Sequence, residues 1–328
     1  MPKKTSPVID SPFSGENTPP TEIERFSSGC FTLDLVLGGG YPEGRIIDVY
    51  GESATGKTFL AVQAVSEYLR RFPDGVVGYV DSEQTFSEDF ARRVGCPVES
   101  NRLKVVSSIS TLQGLYVLLD KLRTDPPAPH VMVVLDSLDA LIDEEEASAG
   151  PQMSGYSVGR PKYLSVKLLP MITGMAAKKS PSVTFYVVSQ ARSNLNPYGP
   201  KDVRSGGRAL KFYCSQILHI SKTDIKETVF GKQVLVGMDI KVQVEKNKCG
   251  FFGTHVTVPV YFNRGISALR AGAIFLKDLD AVKVVEELKA SKEPVDVLER
   301  RMNDACRTRW EEFLSRVRVR SESGSNEF

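Results

Sequence analysis

The eight residues GESATGKT, Gly51 to Thr58, follow an apolar run at 45–50 (RIIDVY) and open a stretch at 57–72 whose apolar residues repeat with helical spacing. Few short patterns constrain a chain as strongly. A strand, a Gly-containing loop and a helix in that order bring backbone N–H groups and the positive end of a helix dipole to one point, where a polyphosphate is held. Gly51 and Gly56 permit the curl, with Glu52, Ser53, Ala54 and Thr55 between them and Phe59 just beyond. Lys57 is placed to reach the β- and γ-phosphates, and Thr58 to hold Mg²⁺. The pattern therefore predicts a nucleoside triphosphate and Mg²⁺ as ligands, against the plainer reading of a Gly-containing turn before an ordinary helix.

The surrounding pattern predicts an α/β fold. Strand-like runs RIIDVYG, VVGYVDS, HVMVVLDS and VTFYVVSQ alternate with helical stretches such as 57–72 and 87–94, which argues for a mostly parallel twisted sheet flanked by helices on both faces. Runs at 215–222, 234–246 and 255–263 follow one another without helices of comparable length, and predict an antiparallel extension. Beyond about Leu269 the spacing turns helical, giving a small helical C-terminal region at 269–328 that ends in a polar tail, RSESGSNEF, expected to be disordered. Residues 1–25 are rich in Pro, Ser, Thr and Glu and predict a flexible arm, with Val8, Ile9 and Phe13 as anchors on a neighbour.

Composition excludes little. Lys+Arg number 42 against 40 Asp+Glu, so affinity for a polyanion must come from local clustering and not from the net charge of +2. The five cysteines are scattered, with no C-x-x-C pair and no metal-like spacing, and read as free thiols in a reducing compartment. No run approaches the roughly 20 apolar residues of a membrane span, and the start lacks a signal-peptide segment. A protein of the cytosol, its own cell's or a host cell's, with no membrane partner is expected.

Two acidic positions stand near the phosphate loop in pattern. Asp136, at the end of VMVVLDS, can reach the shell of a magnesium ion across the sheet, with Ser137 assisting; capping the next helix is the ordinary alternative. Glu83, in GYVDSEQTF, can polarise a water for in-line attack on the γ-phosphate.

These residues lie within a larger likeness. The segments FSSGCFTLDLVLGGGYPEGRIIDVYGESATGKTFLAVQ, YVDSEQTFSEDFARRVG, VVLDSLDAL, SQARSN and SGGRALKFYCS occur in the order and at about the spacing found in RecA, the bacterial and phage homologous recombinase family, which this chain resembles over residues 26–266. The resemblance implies a RecA-type P-loop ATPase core at 26–268 with two DNA-binding loops, at about 144–162 and 191–209. It implies Glu83 as the catalytic glutamate and Gln190 as the residue that senses the γ-phosphate and signals to the second loop. Phe90 matches a position stacked on adenine, where a core phenylalanine is the alternative. Lys246 and Lys248, in VEKNKCG, resemble a pair that crosses a subunit interface to the neighbour's ATP; without the family, alternating lysines on a strand read as a solvated face.

The second loop explains why two apolar strands are separated by about twenty basic, Gly-rich residues: structureless loops of that length are uncommon unless functional. The resemblance assigns DNA contacts there to Arg192, Ser193, Asn194, Arg204, Ser205, Gly206, Gly207 and Arg208, and subunit contacts to Lys211 and Phe212 beyond it. In the first loop Arg160 and Lys167 are the phosphate-contact candidates and Met153 and Tyr156 base wedges, with a helix starting near Pro161. Together these assignments imply a homo-oligomeric helical filament on single-stranded DNA that pairs it with double-stranded DNA, with a single-strand-binding protein or loader as a further partner. A helicase-like RecA-fold motor and a regulatory DNA-binding ATPase are the alternatives. The chain departs from the family before Phe26 and after Ile266, and Arg316, Arg318 and Arg320 are candidates for duplex capture.

Overall fold

The computed structural model describes residues 23–144, 163–178, 180–193, 202–204 and 207–323. A main sheet has strand order β12-β11-β10-β9-β3-β7-β6-β4-β5, with β8 paired to β7. Its parallel part comprises β3 (Ile46–Gly51), β4 (Val76–Asp81), β5 (Leu103–Val106), β6 (His130–Asp136), β7 (Ser182–Ser193) and β9 (Gln216–Val229). β10 (Lys232–Asn247), β11 (His255–Tyr261) and β12 (Gly265–Ile266) extend it antiparallel, as the absence of intervening helices predicted. β1 (Arg25–Phe26) and β2 (Tyr41–Pro42) form a separate two-stranded piece.

The period of two along each strand divides the core. Ile47 and Val49 of β3 join one buried cluster with α1 (Phe31–Leu37) and α2 (Lys57–Arg71). Ile46 and Tyr50 join a second, with α4 (Leu112–Thr124), α5 (Leu169–Ala176) and α6 (Gly207–Tyr213); α3 (Glu88–Arg93) follows β4. The helix ends follow ordinary rules. Thr111 Oγ1 accepts from Gly114 N at 3.0 Å at the start of α4, and Arg70 and Arg71 sit in the last turn of α2 where the dipole favours cations. Before α5, Leu164–Leu168 winds one wider, π-type turn. Pro170 lacks the N–H that would close an α-turn there, which accounts for the widening.

The C-terminal helices α7 (Ala268–Asp278), α8 (Val282–Ala290) and α9 (Val295–Ser323) are continuous with the first cluster: Phe275, Leu276, Val285, Leu288, Met302, Cys306 and Trp310 are buried in it. Two expectations are corrected. Helix α9 runs through Ser323, so Arg320–Ser323 of the expected disordered tail are helical. The 191–209 segment is not a loop without secondary structure, because β7 continues to Ser193 and pairs antiparallel with β8 (Asp202–Arg204), Ala191 facing Arg204, and α6 begins at Gly207. No two of the five cysteines form a disulfide, and burial pushes Cys96 up to about 11 and Cys306 up to about 12. Among the described residues no helix is long and apolar enough to cross a membrane.

Candidate active site

The parallel strands deliver their carboxyl ends to one edge. Gly51 closes β3 in register with Gln190 of β7 and Ile220 of β9, while Asp81 of β4 faces Asp136 of β6. Close approach explains both glycines of the loop. A Cβ on Gly51 would lie 2.3 Å from the Ile220 carbonyl oxygen. At Gly56, φ is 97° and a Cβ would meet Ile240 Cδ1 at 2.5 Å. The loop is thus a bare-backbone cradle wedged against the antiparallel extension, which is what close contact with phosphate oxygens requires.

Lys57 opens α2 and is only 8% exposed; its Nζ donates to the carbonyls of Gly51 (3.0 Å) and Glu52 (2.6 Å). Burial lowers its pKa from the ordinary lysine value, while Glu83, Asp136 and Asp139 favour its charge. Thr55 Oγ1 also donates to Glu52 O, at 2.8 Å. A buried ammonium held by neutral carbonyls gains from any anion that replaces them.

Asp136 is 3% exposed and accepts from Tyr79 Oη at 2.6 Å, with the Thr58 hydroxyl close enough to favour its charged form. Burial raises its pKa, the Tyr79 and Thr58 hydroxyls oppose the rise, and Glu83 and Asp81 add to it. Asp136 therefore faces Thr58 across the sheet and does not serve as a mere helix cap. A buried carboxylate beside a hydroxyl fits a divalent cation, whose charge would reverse the effect of burial.

Glu83 lies in the turn after β4, which Asp81 fixes by accepting from Thr85 N and Phe86 N at 3.0 Å each. Its Oε1 accepts from Gln190 Nε2 at 3.1 Å and from Ser137 Oγ. The structure thus brings Glu83 and Gln190 together, and places Ser137 on Glu83 and not on Asp136. Gln190 is anchored through its own N–H, which donates to Asp139 Oδ2 at 2.6 Å. Tyr79 and Asp139 escaped the sequence reading. Asp139, three residues past Asp136 in VVLDSLDAL, was visible only as a further carboxylate in the same motif.

Phe90, at α3, lies against Phe59 of α2 with ring centroids 6.0 Å apart at 60°. Lys167 is exposed beside α5 with its Nζ 5.6 Å from the Tyr163 ring centroid. Backbone pairing places Arg192 opposite Val203 and Ser193 opposite Asp202, next to Arg204 on β8, while Gly207 and Arg208 open α6. Arg160, Met153, Tyr156, Asn194, Ser205 and Gly206 lie outside the described residues.

Lys246 and Lys248 are not at the phosphate edge. Gly51 is level with Ile220, whereas Lys246 is level with Ile217 and Lys248 N donates to Ser215 O at 2.9 Å. At about 3.3 Å per residue, Lys246 sits about 10 Å and Lys248 about 17 Å along the strand away from the P-loop edge. Lys246 Nζ donates to the Lys211 (2.6 Å) and Phe212 (3.1 Å) carbonyls at the end of α6, and the Phe212 side chain is 74% exposed beside it.

Comparison with known proteins agrees with this architecture. The family model for the RecA N-terminal domain matches residues 13–267. Among curated proteins, Protein RecA of Mycoplasma mycoides subsp. mycoides is 30% identical over 249 residues, covering 75% of this chain and 68% of the relative. Protein RecA of Prochlorococcus marinus is 35% identical over 248 residues, and that of Gloeobacter violaceus 34% over 256. The chain covers 62% and 65% of those two relatives. The crystal structure of the RadB recombinase superposes with a TM-score of 0.54 at 24% identity, covering 73% of this chain and 97% of that one, a likeness of fold.

Proposed function

The chain belongs to the RecA family, and from that membership we propose that it is an ATP-dependent recombinase that forms a helical filament on single-stranded DNA and exchanges homologous strands. The observation that carries this reading is the Gln190 side chain on Glu83, because Gln190 lies on the strand that continues into the β7–β8 hairpin. A γ-phosphate sensed at Gln190 is transmitted by rigid strand backbone to the segment assigned to DNA. Binding of ATP then favours the hairpin arrangement with higher DNA affinity, and by linkage DNA favours the hydrolytic arrangement.

Within this reading, Gly51–Thr58 would cradle the triphosphate, Thr58 and Asp136 would hold Mg²⁺, and Phe59 with Phe90 would flank the base. Bound magnesium would supply charge neutralisation on the phosphate oxygens. Glu83 orients the attacking water and accepts its proton, and Lys57 offsets charge that builds on the transferring group. Lys246 and Lys248 complete the site of the next chain, since they lie along the sheet away from their own loop. Such a head-to-tail contact does not close on itself and gives a filament. Arg192, Arg204, Arg208 and Lys167 neutralise phosphates without reading bases, so pairing itself selects the homologous strand.

The test is ATP-dependent transfer of a labelled strand from a homologous duplex to a coated single strand. Exchange with the homologous duplex and none with an unrelated one is expected. DNA-stimulated hydrolysis without any exchange would instead favour a motor.

A further inference from the structure

Tyr50 is the last residue before the P-loop, and its surroundings are explained by neither the nucleotide pattern nor the lysine pair. The ring is 6% exposed and stacks on His219, with centroids 4.8 Å apart at 27°. Its hydroxyl donates to Glu245 Oε1. Glu245 immediately precedes Lys246 at a β-bulge, where the register of β10 on β9 shifts between Val244↔Leu218 and Lys246↔Ile217. A bulge turns two successive side chains toward one face. Here Glu245 meets Tyr50 and Lys246 meets the end of α6, both on the side of the second cluster.

Resting on the recombinase reading, we propose that Tyr50 and Glu245 are positioning residues that couple each chain's own ATP site to the lysine pair it lends to the next chain, making successive sites cooperative. The connection is short: Gly51, Tyr50, Glu245 and Lys246 are linked by two peptide bonds and one hydrogen bond. At each end a lysine is held by backbone carbonyls. Lys57 Nζ is held by the Gly51 and Glu52 carbonyls, and a bound phosphate competes for it at the residue adjoining Tyr50. Lys246 Nζ is held by the Lys211 and Phe212 carbonyls, and must leave them to reach a neighbour's phosphate. The Tyr50–Glu245 side-chain hydrogen bond ties together the two strands that must move, and is the contact through which coupling acts.

The experiment measures the ATP-concentration dependence of hydrolysis by the full chain on single-stranded DNA, for the wild type, Tyr50→Phe, Glu245→Ala and Glu245→Gln. The wild type is expected to be sigmoidal. Tyr50→Phe and Glu245→Ala are expected to lower the Hill coefficient toward unity with kcat at saturating ATP kept within about twofold. Glu245→Gln, which keeps an acceptor oxygen, is expected to retain the sigmoid. A hyperbolic wild type, or a Hill coefficient unchanged in both Tyr50→Phe and Glu245→Ala, overturns the coupling while leaving the recombinase reading intact. A parallel loss of kcat with an unchanged Hill coefficient does the same, since it marks a merely structural contact. Absence of DNA stimulation in the wild type would strike the recombinase reading itself.

Discussion

Mixing two inactive variants tests the placement of the lysine pair. Glu83→Gln keeps the nucleotide cradle and both lysines but loses the group that polarises water. The double variant Lys246→Ala/Lys248→Ala keeps Glu83 and the P-loop but removes both cations offered to the neighbour. The sheet register sets these lysines about 10 and 17 Å along the strand from their own P-loop edge, and the proposed function has them complete the next chain's site. Loss of cations acting in trans on phosphoryl transfer lowers turnover on the order of 10³-fold. Each variant alone should therefore be near background. In a random equal mixture, an intact Glu83 meets an intact lysine pair with a chance of one half times one half. About a quarter of the interfaces are then complete, and DNA-stimulated turnover should recover to about a quarter of the wild-type rate per chain. The assay is steady-state phosphate release on single-stranded DNA at fixed total protein. A mixture no more active than the sum of its parts would refute the trans assignment.

Two further outcomes rest on burial. Asp136→Asn removes a carboxylate whose pKa burial raises, so without nucleotide or Mg²⁺ it should raise the melting temperature at pH 7 while abolishing hydrolysis. The folded state holds this proton more tightly than the unfolded chain, so the wild type regains stability as pH falls through the raised pKa, and melting at successive pH values should show the two proteins converging. Trp310, 5% exposed, stacks on Phe313 at 5.1 Å and meets Phe251 and Phe275 edge-on and tilted. Trp310→Ala should destabilise by about 3–5 kcal/mol and lower the single melting transition by about 4–7 °C. A separate early transition for α7–α9 with the main one unmoved would instead mark the C-terminal helices as an independent unit.

What the sequence disclosed depends on how local each signal is. The P-loop was legible because its glycines, lysine and threonine are contiguous and its flanks have clean strand and helix periods. The division into parallel and antiparallel strands was legible from whether helices intervene. The β7–β8 pairing was not, because Ala191–Ser193 and Asp202–Arg204 are too short to show a period of two and are held by each other. The extension of α9 to Ser323 was hidden by its charged composition, although adding turns to an existing helix is far easier than starting one. Glu83, Gln190 and Asp136 were readable as residues, yet their partners Ser137, Asp139 and Tyr79 come from different segments of the chain and only the fold assembles them. The bulge that brings Glu245 to Tyr50 leaves no mark in the alternation of β10.

The most direct measurement of the central claim is ATP hydrolysis at low salt with and without single-stranded DNA, for the wild type and Glu83→Gln. Coupling through Gln190 predicts strong stimulation by DNA in the wild type and none in the variant. Equal hydrolysis with and without DNA would contradict a functional link between the Glu83–Gln190 pair and the β7–β8 hairpin.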